Sequence, residues 1–318
     1  MRRTRLALAL VSLPLVAAAC GPGPSSLPSA RPNRHTPSET VRQTPADTSN
    51  AKPDHIVVIV MENKEYGSII GSSDAPYINR LARHNVLLTR EYATRHPSLP
   101  DYLALTGGST FGITSDCTDC SVSRSNLVDQ LERTGYSWKA YMQSMPRACY
   151  TGSFAGTAPR DYAKKHNPFI YYDDIRTDSE RCNKIVPFTV FKRTDLKDGL
   201  PNFAWITPNE CHDMHDCSVA TGDDFLHTWV PKILGKLGKD GILIVTFDEG
   251  STNDGCCSSA AGGHVTTIIA GPGAKDGTRI RREATHYSVL RLIEDAWGLA
   301  RLRHAGKGST PTIRGWRD

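Results

Sequence analysis

Three apolar runs in this sequence end in groups that can do chemistry. "HIVVIVM" runs straight into Glu62 and Asn63, and "GILIVTF" into Asp248 and Glu249. "NFAWIT" runs into "PNECHDMHD", which holds His212, Asp213, His215 and Asp216. His264 stands immediately before a further apolar run, "VTTIIAG", and His286 opens a segment of helical periodicity. Continuous apolar runs of this length read as strands buried on both faces. Any one of the acids could merely cap the following turn. Several such strand ends together bring carboxylates and imidazoles to one edge of a sheet. Carboxylates packed that closely repel unless a cation neutralises them. A hard divalent cation bound mainly through oxygen meets that need. The expected ligands are Glu62, Asn63, Asp248 and Glu249.

A hydrolytic site also needs a nucleophile, and "RHPSLPDYLALTGG" offers Ser98 beside His96. Ser98 stands at the start of a predicted helix with Asp101 three residues on. That pattern also reads as a simple capping box. A helix start concentrates free N–H groups and positive dipole, which suits a phosphate. A cation next to Ser98 would activate its hydroxyl.

The elements that must hold these residues alternate along the chain. Strands are predicted at His55–Met61, in "SWKAYM" and "NFAWIT", and in the runs before Asp248 and after His264. Helices are predicted over Pro76–His84, Ser98–Thr106, Asn126–Thr134, Asp223–Leu237 and His286–Trp297, the last stopped by Gly298. This alternation predicts an α/β fold with a mostly parallel central sheet and helices on both faces, in three layers. In such sheets ligand sites gather at the carboxyl ends of the strands.

Composition limits what surrounds this domain. The chain has 318 residues, 39% of them hydrophobic, enough for one large core spanning 54–318. Residues 1–20, "MRRTRLALALVSLPLVAAAC", have the basic start, apolar stretch and small residues of an export signal. Their "VAAAC" end reads as a lipobox with Cys20 lipidated, or as a plain A-x-A cleavage site. A lipid on Cys20 would dock the protein on a membrane. Residues 21–53 hold seven prolines and no aromatic residue, and read as a disordered tether. Setting aside Arg2, Arg3 and Arg5, the charge is nearly balanced, which gives no electrostatic argument for nucleic acid.

Without Cys20 the chain has eight cysteines, at 117, 120, 149, 182, 211, 217, 256 and 257. An even number in an exported chain implies disulfides, and eight allow 105 pairings. The pairs 117–120, 211–217 and 149–182 are expected, with a vicinal 256–257 pair as a further option. A zinc site at Cys117 and Cys120 is the alternative, but no second pair stands at zinc spacing.

Six stretches, "VIVMENKEYGSIIG", "HPSLPDYLALTGGSTFGIT", "KHNPFIYY", "NFAWITPNECHDMHDCSVATGDDFL", "VTFDEG" and "THYSVLRLIEDAWGL", resemble, in order, the bacterial phosphoesterase family of acid phosphatases and phospholipase-C-type enzymes. That family lies in the alkaline-phosphatase-like superfamily. The resemblance implies a phosphoric ester hydrolase with Ser98 as nucleophile. It implies one divalent cation at Glu62, Asn63, Asp248 and Glu249. It places His215 and His286 in catalysis, and Asn63, His96, His212, Asp213, Asp216 and His264 around the phosphate. The substrate would be a phosphorylated small molecule or a phospholipid headgroup. A phosphomonoesterase is the first reading. A phospholipase-C-type phosphodiesterase and a non-catalytic surface-tethered binding lipoprotein are the alternatives.

Overall fold

A computed structural model describes residues 51–317. The expected signal segment 1–20, with Cys20, and the tether up to residue 50 lie outside the described residues. Of the tether's last residues, Pro53 is buried and its carbonyl accepts from the Trp297 indole at 2.8 Å.

The strand β1 (Ile56–Met61) is buried at every position. It lies at the centre of a nine-stranded sheet. After it come α1 (Pro76–His84), β2 (Val86–Tyr92), α2 (Ser98–Gly107), α3 (Leu127–Arg133) and β3 (Trp138–Met142). Then follow β4 (Ile185–Pro187), β5 (Phe203–Thr207), α4 (Val219–Leu234), β6 (Ile242–Phe247) and β7 (His264–Ala270). Two short strands, β8 (Arg279–Ile280) and β9 (Ala284–Thr285), precede α5 (His286–Trp297). The sheet order is β8-β2-β7-β6-β1-β5-β3-β4, with β9 also on β2.

β1 pairs in parallel with β5 and β6, and β3 in parallel with β4 and β5. β7 alone among the strands in this sheet's interior runs antiparallel to both its neighbours. Its first residue, His264, therefore sits at the edge where β1, β5 and β6 end. That direction explains how a histidine before one strand shares an edge with acids that follow others.

Side-chain alternation along β1 divides the core. Ile56, Val58 and Val60 pack with Leu99, Tyr102 and Leu103 of α2 and Val289 and Leu290 of α5. Val57, Ile59 and Met61 pack with Ile78 and Leu81 of α1 and Phe225, Leu226 and Val230 of α4. Helices thus cover both faces, giving three layers.

Three helices differ in their bounds from the sequence reading, α2 by ending at Gly107 rather than Thr106 and α4 by ending at Leu234 rather than Leu237. α4 starts at Val219 rather than Asp223, because the Ser218 hydroxyl caps it at Thr221 N. α3 spans Leu127–Arg133, with Asn126 and Asp129 forming a capping box at its start. Three disulfides form at the expected pairs, Cys117–Cys120, Cys149–Cys182 and Cys211–Cys217. Cys256 and Cys257 are free thiols with their sulfurs 2.9 Å apart.

Candidate active site

Glu62 leaves β1 fully buried, and Asp248 leaves the adjacent β6 fully buried. Their strands are paired through Met61 and Phe247, so the two carboxylates emerge side by side. Asn63 turns the chain away with φ 46°, a left-handed conformation that asparagine tolerates. This turn points its backbone N–H at Asp248 Oδ1, 3.2 Å away. One end of its side-chain amide faces Glu62 Oε2 at 3.0 Å and Asp248 Oδ1 at 3.2 Å. As an NH2 it would satisfy both acids; as an oxygen it would add a third oxygen donor to a cation.

Ser98 opens α2 on the other side of these acids and is itself fully buried. Its Oγ is 3.1 Å from Glu249 Oε1 and 3.4 Å from Glu62 Oε2. One helical turn on, the Tyr102 hydroxyl donates to Glu62 Oε1. The fourfold spacing of Ser98 and Tyr102 puts both on one face of α2. Sequence reasoning overlooked Tyr102, although that spacing was there to find it.

Two further residues come from "KHNPFIYY". His166 is buried, with Nε2 3.2 Å from Glu62 Oε2 and Nδ1 3.6 Å from both Glu210 Oε1 and Asp213 Oδ2. Its ring stacks on Tyr102 at 5.4 Å. Lys165 Nζ lies 3.1 Å from His215 Nε2 and 3.7 Å from Asp116 Oδ2. Neither residue carries a period or pairing signal in the sequence. Their motif marks the segment without assigning it a task.

Burial and mutual repulsion dominate the electrostatics. The Glu62 carboxyl is pushed well above its ordinary range by burial, then by Asp248 and Asp213. Burial also raises Asp213 well above its usual value, with Glu210 and Asp248 adding to the shift. Glu249 is raised to about 7 by burial and then by Asp248, with His96 opposing. Burial drives His166 well below its ordinary value. Lys165 moves the other way: burial opposes its charge, but Glu62, Glu210, Asp116 and Asp248 outweigh that and raise it.

The donor set fits a cation. Asp248 Oδ2, Asp213 Oδ2, Glu210 Oε1 and His166 Nε2 are buried without a hydrogen-bond partner. Two triplets, Glu62–His166–Asp213 and His166–Glu210–His215, each bring three ligand atoms within 4.8 Å of one another. Buried orphan acceptors of this kind are costly unless something satisfies them.

The other sequence candidates take varied positions. His96 Nδ1 contacts Glu249 Oε2 and its Nε2 is 2.8 Å from the Thr252 carbonyl. Burial opposes its charge, but that carbonyl and Glu249 prevail, and its pKa is raised. His215 Nδ1 is 2.7 Å from Asp216 and 3.0 Å from Glu210, the latter contact raising its pKa most. Asp213 takes the His215 N–H at 2.8 Å.

His286 lies behind the acids rather than among them. It is fully buried, with Nε2 at the main-chain carbonyl of Asp248 and Nδ1 3.5 Å from Glu91. There it fixes the backbone of the Asp248–Glu249 pair. His264 stacks on Tyr66 at 4.4 Å and on Tyr92 at 5.1 Å, with Nε2 3.0 Å from the Thr89 carbonyl. His212 turns outward from the acids, with Nδ1 3.0 Å from Gln143 Oε1 and its ring against Phe225.

A cavity of about 410 Å³ opens over Asn63, His96 and Glu249. Its wall is the segment after Asp248. Glu65 holds that segment by accepting from Ser251 N at 2.7 Å and His264 N at 2.8 Å.

Comparison with known proteins assigns the chain to a family. The sequence model of the Phosphoesterase family matches residues 71–300. The chain is 32% identical over 266 residues to the phosphatidylinositol-3-phosphatase of Mycobacterium tuberculosis, covering 83% of each protein. It is 32% identical over 251 residues to an acid phosphatase of Aspergillus fumigatus, covering 76% of this chain but 54% of that protein. Among solved structures, a protein of the alkaline phosphatase superfamily from Vibrio parahaemolyticus superposes with a TM-score of 0.55. It shares 17% identity, over 85% of this chain and 73% of that one. The phosphonate monoester hydrolase of Agrobacterium radiobacter gives 0.53 at 14% identity, over 84% of this chain and 79% of its own. These likenesses replace the non-catalytic reading: the chain belongs to the phosphoesterase family and is a phosphoric ester hydrolase on an alkaline-phosphatase-like α/β fold.

Proposed function

We propose that the chain is a phosphomonoesterase in which Ser98 attacks phosphorus and a divalent cation sits among Glu62, Asp248 and Glu249. The observation that carries this reading is the Ser98 hydroxyl, buried between Glu249 Oε1 at 3.1 Å and Glu62 Oε2 at 3.4 Å. A hydroxyl buried between two carboxylates has acceptors for its proton and an excess of negative charge around it. With its amide oxygen turned to the acids, Asn63 would complete the ligand set; with its NH2 there it would instead donate to Glu62 Oε2 and Asp248 Oδ1. Bound there, a divalent cation would neutralise these acids and lower the pKa of the serine hydroxyl.

The chain's own groups do the rest. Ser98 Oγ attacks in line and its proton passes to Glu249 Oε1, the nearest acceptor. The ester oxygen leaves and a phosphoserine remains, which water then hydrolyses. Lys165 and His215, 3.1 Å apart, would offer N–H donors to the phosphate oxygens, and His166 Nε2, 3.2 Å from Glu62 Oε2, would join the cation's ligands. His96, facing the open cavity, stands where a leaving alkoxide would need a proton. Tyr102 holds Glu62 in register, and His286 holds the Asp248 main chain.

The monoester reading is supported by the names of the relatives, a phosphatidylinositol-3-phosphatase and several acid phosphatases. We also infer export, with anchoring at Cys20 through a lipid. Three disulfides support an oxidising compartment. Replacing Cys20 with Ser should move the protein from the membrane fraction to the soluble one.

The central test compares p-nitrophenyl phosphate with bis(p-nitrophenyl) phosphate, with and without chelator. Rapid turnover of the monoester is expected, with loss on chelation and recovery on adding a divalent metal. Ser98→Ala should reduce kcat by more than about 1000-fold, and acid quench of the wild type should trap phosphate on Ser98. Full activity in Ser98→Ala would end the covalent mechanism. Turnover of the diester alone would establish the phospholipase C reading instead.

A further inference from the structure

A second and larger cavity, of about 610 Å³, adjoins the one over Asn63 and Glu249. His96 and Asn253 line both, so the two spaces are neighbours across the His96 ring. The two are opposite in character. The catalytic edge is crowded with carboxylates. None of the side chains lining the larger cavity is a carboxylate, in a chain with 33 acidic residues. Its basic lining is Arg95, His96, His304 and Lys307, and its hydroxyls include those of Thr110 and Ser309.

These cations lack the counter-ions that surface bases usually find. Neither Arg95 nor Lys307 takes part in an ion pair among the described residues, and Arg95 Nε is buried without a hydrogen-bond partner. Lys307 Nζ is within hydrogen-bond distance of another base, His304 Nε2, at 3.3 Å. Burial, then Lys307, lowers the pKa of His304. His304 is held in place by stacking on Tyr287 at 4.7 Å.

The wall carrying His304 and Lys307 is fixed to the site. His304 N donates to the Gly108 carbonyl at 3.0 Å. Gly108 ends α2 with φ +68°, and a Cβ there would meet the Leu302 carbonyl oxygen at 2.5 Å. The close approach of the 302–309 segment to the helix that begins with Ser98 thus requires glycine. This wall also lies beyond residues 71–300, the part of the chain that matches the family.

We infer that the larger cavity receives the leaving group of the substrate, and that this leaving group carries a second anionic group, a phosphate or a carboxylate, met by Arg95 and Lys307. The inference rests on the phosphomonoesterase reading and gives it a substrate class. A scissile phosphate at Ser98 places its ester oxygen near His96, and the remainder of the molecule has the neighbouring cavity to fill. The volume is that of a small-molecule site. A guanidinium and an ammonium with hydroxyls beside them are the groups that recognise phosphate or carboxylate.

The test uses three aryl esters that share a reactive centre: phenyl phosphate, 4-carboxyphenyl phosphate and 1,4-phenylene bisphosphate. kcat/KM is measured for the wild type, Arg95→Gln, Lys307→Gln and the double variant, with thermal melting to confirm folding. Differences in leaving-group reactivity cancel when each variant is compared with the wild type on the same ester. The expected result is a loss about tenfold greater on the bisphosphate, the carboxylate or both than on phenyl phosphate. Raising the salt concentration should shrink that difference in the wild type. A larger loss on the bisphosphate identifies phosphate as the second group; a larger loss on the carboxyl ester identifies carboxylate. Equal losses on all three esters, or none, would overturn the inference while leaving the phosphatase intact. If the wild type cleaves none of the three with any divalent metal, the phosphomonoesterase reading fails and this inference with it.

Discussion

Ser98 and Glu249 are 151 positions apart in the chain, yet their side chains meet at 3.1 Å between Oγ and Oε1. α2 brings one and β6 the other, on adjoining layers of the fold. Whatever holds those two elements in register holds the reacting atoms.

Tyr102 is one such part. Its hydroxyl donates to Glu62 Oε1, while its ring packs in the core and against His166. Tyr102→Phe removes the donor and keeps the ring. Hydrogen bonds to charged groups contribute about 1.5–3 kcal/mol, so kcat/KM on p-nitrophenyl phosphate should fall about 10- to 100-fold. Unchanged kinetics in a folded variant would remove Tyr102 from the mechanism.

His212 gives the opposite expectation. It is held by Gln143 and Phe225, away from the acids. His212→Gln should keep kcat/KM within about twofold, as substitutions away from a site usually do. A tenfold loss would return His212 to the phosphate-binding group that the sequence suggested.

How far the sequence reveals this site depends on which residue is asked about. Glu62, Asp248 and Ser98 are legible because each stands at a predictable end of a strongly patterned element, and such ends are where sites form. His286 is equally legible as a helix start. Its burial behind Asp248 is not, since that depends on Glu91 and Asp101 crowding around it. Lys165 and His166 come from a segment of short helical turns between β3 and β4, where no periodicity exists to place a side chain. β2 is not legible in the sequence, because its run, "VLLTREY", breaks into polar residues toward its end. The sheet was readable from its apolar runs, but the reversed direction of β7 was not, because a doubly buried strand has the same pattern in either direction.

Stability should respond to pH through Glu294, far from any candidate metal ligand. This residue is fully buried in α5 and accepts from Leu302 N at 2.7 Å. Its pKa is raised from 4.5 to about 8 by burial first, then by Asp295. A raised folded-state pKa favours the folded protein while the group is protonated. That stability is full below about pH 4.5 and is lost as pH rises through about 8. Glu294→Gln keeps the oxygen that accepts from Leu302 and cannot ionise. The wild type should lose on the order of 3 kcal/mol more than the variant between pH 5 and pH 8, read as denaturant midpoints. Parallel pH curves would contradict this assignment.

The Cys149–Cys182 disulfide spans 33 positions and ties the segment before β4 to the loop that follows β3. Closing a loop of that length stabilises by roughly 3–4 kcal/mol through the unfolded chain. The double variant Cys149→Ser/Cys182→Ser should melt about 6–15 °C lower, given the usual conversion for a domain of this size. A change under about 2 °C would show that the reduced segment is held by its packing alone.

The reversed strand β7 has one more implication. The chain leaves the catalytic edge at Asp248 and comes back to it at His264 without crossing the sheet. Asp248 N is fixed to the Met61 carbonyl at 3.0 Å and His264 N to Glu65 at 2.8 Å. Between those anchors Glu65 also holds Ser251 and Thr252, and Thr94 and Ala93 hold Ala261 and Gly262, so only the stretch between Asp254 and Ala261 can vary in length without disturbing these contacts. Residues 255–260 therefore form a cassette at the mouth of the site, where insertions or deletions would retune which esters are admitted and leave Glu249 and Ser98 in place.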